Sequence, residues 1–383
     1  MLDMKLLHVL PTLDQTDGGP VRLVIDLSAR AMSLGLHSEV LGLGPVNLSD
    51  NPLPSHLVHS LPVTRPSSYR YSPALKDWLE KHLPRFQAVV LHGSWTYPEC
   101  LAARLAHTAG IPYGIFPHGM LEPWAVHGQG FLKSVKKRVY WWWRESEVVR
   151  DAKCVFFTTR MEQELANSIL PFPPNQRVLP PYGVSSRCEV IEQPSNAALL
   201  KFRGRPFALF LSRIHPKKNL NFLLRAWKLA TPPDPWHLVV AGTGSPDYLR
   251  QLNALVLELG LHEKVSFVGF AAGDDKKWLL QEASWFMLPS KQENFGIAVL
   301  EAVSQRCAVA ISDRVYLCES FRPGSEVLPL QLDNWVDFIR NRMTDPDHRA
   351  RTASADVEHL ASSFSMNVVT QRWADTLRTA LVT

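Results

Sequence analysis

Two glutamates lie eight positions apart around the predicted start of an apolar helix. Glu293 precedes a helix that should begin near Phe295, with Gly296 in its first turn, and Glu301 lies about one and a half turns inside it. Free N–H groups and the helix dipole attract anions at such a terminus. The helix is otherwise apolar from Ile297 to Val303, which is typical of burial, and a buried carboxylate needs a partner.

The spacing of these glutamates is consistent with two interpretations. In the first, an anion site at the mouth of the helix and a carboxylate deeper in it bind a diphosphate that is joined to a ribose. In the second, Glu293 only caps the helix and Glu301 pairs with an arginine. The residues by themselves leave both interpretations open.

A pair of cations follows another predicted strand, Phe207 to Leu211. Arg213 and Lys218 lie between this strand and a helix that Asn219 is predicted to cap. Two cations at such a place can clamp a diphosphate and add to the charge of the helix N-terminus. The alternative is a solvated basic loop, because Lys217 adjoins Lys218.

Glycines and one histidine also follow predicted strands. Gly242 and Gly244 either border a nucleotide base or simply form a tight turn. Gly18 and Gly19 would let the backbone approach a phosphate or sugar, but the full G-x-G-x-x-G fingerprint of a dinucleotide site is absent from the sequence. His118 is a candidate polar contact at a strand end, although a lone histidine is more often structural.

The chain as a whole has the composition of an ordinary globular protein with two α/β halves. It has 383 residues, of which 46% are hydrophobic and 20% charged, and its net charge of +5 does not argue for nucleic acid. Five scattered cysteines indicate neither a disulfide framework nor a zinc site. No transmembrane-length apolar run or signal-peptide pattern is visible, so we expect a cytoplasmic protein.

Apolar runs predict the strands of both halves, and polar or glycine residues follow most of them. Ligands bind at the carboxyl ends of strands in open parallel sheets, so the pattern predicts one cleft. Residues 45–73 are rich in proline and serine and are predicted to form a loop. Residues 171–181 contain five prolines and are predicted to be a domain boundary.

Two segments, 212–219 and 293–302, resemble the signature blocks of glycosyltransferase family 4. Members of this family are retaining, nucleotide-sugar-dependent enzymes of the GT-B fold, in which two Rossmann-like domains face a cleft. Residues 118–125 resemble a subgroup that is common in polysaccharide and lipopolysaccharide biosynthesis. The shorter matching segments are Gly18-Gly19, 265–269 and Pro289-Ser290.

The resemblance implies a role for each charged candidate. Arg213 and Lys218 would neutralise the donor diphosphate. Glu301 would accept hydrogen bonds from the ribose hydroxyls, Glu293 would contact the donor sugar, and His118 would contact that sugar near its reacting face. The positions expected to bind the donor through their backbone are Gly18, Gly19, Gly242, Gly244, Asn294, Phe295 and Gly296.

The resemblance also implies the domain plan and the reaction. Residues 1–185 would form an acceptor-side domain and 186–362 a nucleotide-sugar domain, with the helix of 363–383 crossing back to the first. We expect metal-independent transfer of a hexose from a UDP- or GDP-linked sugar, without a further cofactor, to a saccharide or lipid-linked saccharide. The alternatives are a nucleotide-sugar epimerase of the same fold and a non-catalytic subunit of a polysaccharide assembly complex.

Three positions depart from the family pattern. The usual Gly-x-Pro after the second glutamate helix is Arg306-Cys307-Ala308, the usual Pro-Asn-Gly after the interdomain strand is Pro181-Tyr182-Gly183, and the glycine that commonly follows the phosphate lysine is Asn219. None of these changes removes a charged residue that the expected mechanism needs.

Residues 131–150 combine basic side chains with aromatic ones. Lysines and arginines surround the run Tyr140-Trp141-Trp142-Trp143, a composition found in interfacial helices that rest on anionic lipid. One interpretation is therefore a peripheral contact with the inner face of the membrane. The other is an ordinary amphipathic helix whose tryptophans lie in the core and whose lysines lie in solvent.

Overall fold

The computed structural model describes residues 3–14, 19–46, 52–127, 131–184, 189–322 and 325–381. It divides the chain into two compact units. The first unit runs to Gly183 and resumes at Asn367, and the second comprises Val184–Met366. Each unit is built around its own parallel sheet.

The first unit contains a seven-stranded sheet in the order β3-β2-β1-β4-β5-β6-β7, with every neighbouring pair parallel. Its strands are β1 (Met4–Val9), β2 (Leu36–Leu43), β3 (Val58–Leu61), β4 (Ala88–His92), β5 (Tyr113–Phe116), β6 (Cys154–Phe157) and β7 (Gln176–Val178). Its first helices are α1 (Gly19–Ala31), α2 (Ala74–His82), α3 (Tyr97–Thr108), α4 (Pro123–His127), α5 (Phe131–Tyr140), α6 (Ser146–Arg150) and α7 (Arg160–Asn167).

The second unit contains a six-stranded parallel sheet in the order β10-β9-β8-β11-β12-β13. Its strands are β8 (Phe207–Leu211), β9 (His237–Ala241), β10 (Val265–Gly269), β11 (Trp285–Leu288), β12 (Ala308–Ser312) and β13 (Glu326–Leu328). Its helices are α8 (Leu220–Ala230), α9 (Pro246–Glu258), α10 (Gly273–Glu282), α11 (Ile297–Ser304), α12 (Leu332–Asp337) and α13 (Pro346–Ser363).

The central strands are buried along their whole length. All residues of β4, β5, β6, β8, β11 and β12 are buried, as expected where helices cover both faces of a parallel sheet. Polar groups are consequently concentrated where the strands end. These strand ends carry the candidate site residues of both units.

The last helix, α14 (Met366–Leu381), returns to the first unit, as the fold prediction expected. Its Trp373 and Leu377 are completely buried. Trp373 stacks on Phe116 of β5, with ring centroids 5.1 Å apart. Burial of these large apolar side chains, each contributing about 1.5–3 kcal/mol, explains why the chain end packs on the first sheet.

One prediction of irregular structure is wrong, because residues 45–73, predicted to form a loop, contain the edge strand β3. The proline-rich segment 171–181, predicted to be a domain boundary, contains the edge strand β7 and lies just before the division of the units between Gly183 and Val184. Neither strand has a fully buried residue. An edge strand of three or four half-exposed residues lacks the continuous apolar run that identifies a central strand.

Candidate active site

The loops after β8 and β9 lie in direct backbone contact in the second unit. Ile214 forms a parallel bridge with Gly244, and its N–H donates to the Thr243 carbonyl at 2.7 Å. A Cβ added to Gly242 would lie 2.0 Å from the Ser212 carbonyl oxygen. A Cβ added to Gly244 would lie 2.2 Å from the Ile214 carbonyl oxygen. Both glycines therefore permit a close approach that any side chain would block.

This contact fixes the backbone around Arg213. Ser212 N–H donates to the Ala241 carbonyl at 3.2 Å, and the Ile214 bond lies on the other side of the arginine. The Arg213 side chain is exposed. The loop therefore presents a guanidinium on a backbone that is held at both neighbouring residues.

Lys218 lies in the short 3₁₀ turn Pro216–Lys218 just before α8, where it forms an ion pair with Glu293. Their side chains are only 14% and 20% exposed. Burial lowers the pKa of the Lys218 ammonium to about 7, with Arg213 and Lys217 adding to this shift, while the adjoining carboxylate favours the charged form. The pair brings together residues 75 positions apart in the sequence.

Glu293 is held by its backbone just ahead of α11. Its N–H donates to the Arg314 carbonyl at 3.0 Å, and its carbonyl accepts from Tyr316 N–H at 2.9 Å. The predicted start of the helix needs correction, because α11 begins at Ile297 and Gly296 precedes it in the left-handed region, at φ 78°. Within the described ranges, the amides of Ile297 and Ala298 have no acceptor, as expected of a first helical turn.

The neighbours of Gly296 have separate roles. The Phe295 side chain is buried and packs against Phe364, with ring centroids 5.9 Å apart. Asn294 is half-buried. Phe295 thus anchors the segment between Glu293 and α11 through its ring, which leaves only its backbone for contact with a ligand.

Glu301 has a basic partner, although it is a lysine and not the arginine considered above. Lys276 of α10 donates to Glu301 Oε1 at 2.6 Å, and the Glu301 side chain is 19% exposed. A ribose bound by this carboxylate would share it with Lys276. The ligand and ion-pair interpretations are therefore compatible at this position.

The first-unit candidates are less complete. Gly19 is exposed at the start of α1, whereas Gly18 lies outside the described residues. His118 follows β5 with a left-handed backbone, at φ 51°. Its ring is half-buried, its Nε2 lies 3.0 Å from His92 Nδ1, and burial lowers its pKa to about 4. His118 is thus neutral at pH 7 and is not a lone histidine.

Asp345-Pro346-Asp347, the single Asp-x-Asp of the sequence, has a structural role. The Asp345 carboxylate accepts from the backbone N–H groups of Asp347 and His348 at 2.9 and 3.2 Å. These bonds cap the N-terminus of α13.

Two family models match successive parts of the chain. The glycosyl transferase 4-like domain matches residues 18–183, and the model of glycosyl transferases group 1 matches residues 192–356. The chain belongs to glycosyltransferase family 4. Solved structures agree with the two-sheet GT-B fold. HepE from Anabaena, in complex with UDP and glucose, superimposes with a TM-score of 0.78 at 18% identity, covering 98% of this chain and 100% of that one.

Other relatives are also glycosyltransferases. WaaG, a glycosyltransferase involved in lipopolysaccharide biosynthesis, has a TM-score of 0.71 at 18% identity over 97% of this chain and 98% of its own. Alpha-D-kanosaminyltransferase of Streptomyces kanamyceticus is 24% identical over 62% of this chain and 63% of its own. The O-antigen chain mannosyltransferase RfbU of Salmonella typhimurium is 29% identical over 36% of this chain and 38% of its own. The chain therefore matches less than two thirds of the length of these two sequence relatives.

Sequence reasoning missed two buried carboxyls in this family 4 member. Glu99 of α3 and Glu145, beside Trp95, are completely buried. Burial raises the pKa of Glu99 to about 8 and that of Glu145 to about 7. A signal existed for Glu145, because it lies four residues after buried Trp141 and three before buried Val148, on the apolar side of its helix.

Proposed function

We propose that this chain is a retaining glycosyltransferase that moves a hexose from a UDP- or GDP-linked sugar to a saccharide or lipid-linked saccharide in polysaccharide biosynthesis. The observation that carries the proposal is the ion pair of Lys218 and Glu293 beside the start of α11. It places a cation, a carboxylate and unbonded helix amides together in the second unit.

The chemistry of the leaving group suits this arrangement. Cleavage of the glycosidic bond concentrates negative charge on a nucleoside diphosphate, and preorganised cations and amides lower such a barrier. Lys218 and Arg213 would supply the positive charge that a metal supplies elsewhere, so we propose that the reaction is metal-independent. Glu293 would orient the sugar while holding Lys218, and Glu301 would bind the ribose.

The relatives support the donor and acceptor classes. HepE has been crystallised with UDP and glucose, which supports a UDP-linked donor. RfbU is an O-antigen chain mannosyltransferase and WaaG is involved in lipopolysaccharide biosynthesis, which supports transfer of a hexose to a saccharide or lipid-linked saccharide. We propose that the donor binds mainly to the second unit and the acceptor mainly to the first.

The donor site can be tested by titrating UDP and GDP into Lys218→Ala and Glu301→Gln variants in a calorimeter. Loss of a charge-assisted bond should weaken binding of the nucleotide by roughly 1–3 kcal/mol in Lys218→Ala. Lys228→Ala is the matched control, because Lys228 is exposed in the last turn of α8. Unchanged affinity in both site variants would refute the assignment.

Activity assays separate the alternatives. The transferase needs an acceptor and forms a product whose anomeric configuration, read by NMR, matches that of the donor. An epimerase would convert the donor without an acceptor, and a non-catalytic subunit would bind nucleotide without turnover. Either of these results would replace the proposal.

The segment around the tryptophan run supports a peripheral membrane contact. Val135, Val139, Trp142 and Trp143 are 44%, 63%, 69% and 63% exposed. This apolar stripe follows helical spacing along α5 and the π-helical turn Trp141–Glu145. Among the helices of the described ranges, none is long and apolar enough to cross a bilayer, so the proposed contact is one of surface attachment.

Basic side chains beside the apolar stripe favour an anionic lipid surface. Lys136 and Arg138 are exposed, and the Arg144 guanidinium lies 4.4 Å from the centroid of the Trp143 ring. Lys137 is excluded from this group, because it donates to the Ala125 carbonyl at 2.5 Å and lies over Trp95. Each basic residue near the surface contributes about 1 kcal/mol, and salt screens it.

Vesicle sedimentation tests this contact. Binding to anionic vesicles should weaken as salt is added and should be lost in Lys136→Gln/Arg138→Gln and in Trp142→Ala/Trp143→Ala. The control is Arg203→Gln, which removes an exposed charge in the second unit. Equal sedimentation with anionic and neutral lipid at low salt would show that the stripe does not bind membranes.

A further inference from the structure

Three histidines form a continuous hydrogen-bonded chain in the first unit. His8 of β1 lies with its Nδ1 3.0 Å from His92 Nε2, and His92 Nδ1 lies 3.0 Å from His118 Nε2. The inner end of the chain is Ser38 of β2, whose Oγ is 3.3 Å from His8 Nε2. Both nitrogens of His8 and of His92 are thus engaged, which fixes the orientation of these two rings.

All three rings are neutral at pH 7. Burial lowers the pKa of His8 to about 3, that of His118 to about 4 and that of His92 well below its usual value. A neutral imidazole has one N–H donor and one acceptor nitrogen. Each bond between two rings must therefore pair an N–H with a lone pair, so the tautomers of the three rings are coupled.

Only two polarities satisfy this coupling. In one, every Nδ1 carries the proton, and the chain donates from His8 towards His118. In the other, every Nε2 carries it, and the chain donates from His118 towards Ser38. The first polarity leaves His118 with an N–H at Nδ1, and the second leaves a lone pair there.

Ser38 decides between the two polarities. Its side chain is only 1% exposed, and throughout the described part of the chain its hydroxyl has no partner other than His8. If Ser38 donates to His8 Nε2, its proton is bonded. If His8 donates instead, the serine proton is buried without an acceptor, which is costly.

We propose that Ser38, His8 and His92 are positioning residues that hold His118 as its Nδ1–H tautomer, so that His118 offers a hydrogen-bond donor to an oxygen of the bound sugar. The last clause rests on the proposed function. In this state His118 Nδ1 has no lone pair with which to take a proton from a hydroxyl. His118 is therefore a binding group and not a general base.

The surrounding packing keeps water away from the chain. The Trp373 ring of α14 stacks on His8 and His92 with centroid distances of 6.0 and 6.5 Å. Water at this place would give Ser38 another acceptor and uncouple the tautomers. The return of α14 to the first unit therefore protects the chain that orients His118.

The loop that carries His118 is fixed by a carboxylate. Gly119 N–H donates to Glu162 Oε1 at 2.6 Å, and Glu162 Oε2 accepts from the backbone and hydroxyl of Thr158 at 2.7 and 2.6 Å. These bonds hold His118 in its left-handed conformation. The ring is thus fixed both by its backbone and by the histidine chain.

The test is long-range ¹H–¹⁵N NMR of the full chain labelled with ¹⁵N-histidine, which reads the tautomer of each ring without requiring activity. His8, His92 and His118 should all be Nδ1–H. His59 is the internal reference for a protonated Nε2, because this nitrogen lies 2.6 Å from the Glu39 carboxylate, which can only accept. Nε2–H signals from His92 and His118 would overturn the proposal.

A variant pair tests the role of Ser38. Ser38→Ala should convert the His118 signal to Nε2–H or to a mixture, whereas Ser28→Ala should change no tautomer, because Ser28 is a buried serine outside the chain. An unchanged His118 signal in Ser38→Ala would also overturn the proposal. If the protein is a transferase, Ser38→Ala should lower kcat/KM roughly tenfold, the size of one hydrogen bond, while UDP affinity is unchanged. An assay that detects no transferase activity would contradict the proposed function but would not change the tautomer result.

Discussion

A methyl group at Gly244 should disrupt the loop contact that carries Arg213. The Cβ of an alanine would lie 2.2 Å from the Ile214 carbonyl oxygen and 3.0 Å from the Ile214 Cβ. Cβ contacts under 3.0 Å essentially do not occur in proteins. Since both neighbours belong to one backbone segment, no flexible side chain can move aside, and the loops after β8 and β9 must separate by roughly 0.8 Å.

The structure gives the size of the effect. Separation breaks the 2.7 Å bond from Ile214 N–H to the Thr243 carbonyl, which costs about 0.5–1.5 kcal/mol. The forced contact adds about 1–3 kcal/mol of overpacking. Gly244→Ala should therefore lower the free energy of unfolding by about 1.5–4.5 kcal/mol. The displaced loop also moves the Arg213 guanidinium, so UDP binding should weaken by about 1 kcal/mol or more.

Gly204→Ala is the matched control for this variant. Gly204 lies in the same unit at φ 69° with nothing within 4 Å of an added Cβ. The free energy of unfolding of Gly204→Ala should fall only by the strain of a left-handed alanine, about 1–2 kcal/mol. This variant should keep full UDP affinity. Urea unfolding measures the stabilities, and calorimetric titration of the folded variants measures the affinities. A Gly244→Ala protein as stable as wild type and with equal UDP affinity would refute the steric argument.

Three further predictions concern other features. Burial raises the pKa of Glu99 to about 8, so between pH 4.5 and 8 only the folded state holds this proton. The free energy of unfolding should therefore fall as pH rises, by up to about 1.4 kcal/mol per pH unit. Urea unfolding at pH 6.5 and 8 should show a smaller fall in Glu99→Gln than in the wild type. Arg306→Gly should raise stability by about 0.5–1 kcal/mol in the same assay, because Arg306 is left-handed at φ 61°. EDTA should leave transferase activity intact, and loss that manganese restores would contradict the metal-free mechanism.

The interior of the fold could be predicted from sequence because burial leaves a local signal. Strand β8 has the predicted limits, Phe207–Leu211, since a strand covered on both faces is apolar at every position. Edge strands β3 and β7 give no such signal. A strand lies at the edge of a sheet because of its pairing with strands that are distant in sequence. A local sequence pattern contains no information about that pairing.

Backbone conformation accounts for two departures from the family pattern. Asn219 and Arg306, which stand where family members commonly have glycine, are left-handed at φ 60° and 61°. Asparagine tolerates this region better than most residues, whereas arginine is strained there. Asn219 occupies the predicted N-cap position of α8, but its backbone is left-handed and its side chain makes no capping bond.

Contacts across the sheet explain what the sequence could not show about the sites. Lys218 and Glu293 gave separate signals, and only the fold brings them together. The histidine chain was missed although its members follow the sheet order, because β1, β4 and β5 are neighbours and carry His8, His92 and, just past β5, His118. Strand order, once assigned, would have predicted this chain.

The charge states of the candidate residues suit the ligand groups that the proposed function assigns to them. Lys218 and Arg213 are cationic groups suited to an anionic diphosphate, whereas His118 is kept neutral by burial. A protonated His118 would favour an anionic group over an uncharged sugar oxygen. Burial keeps the ring neutral, so under the proposed function it would select for the sugar, which its unperturbed pKa would not ensure near pH 6.5.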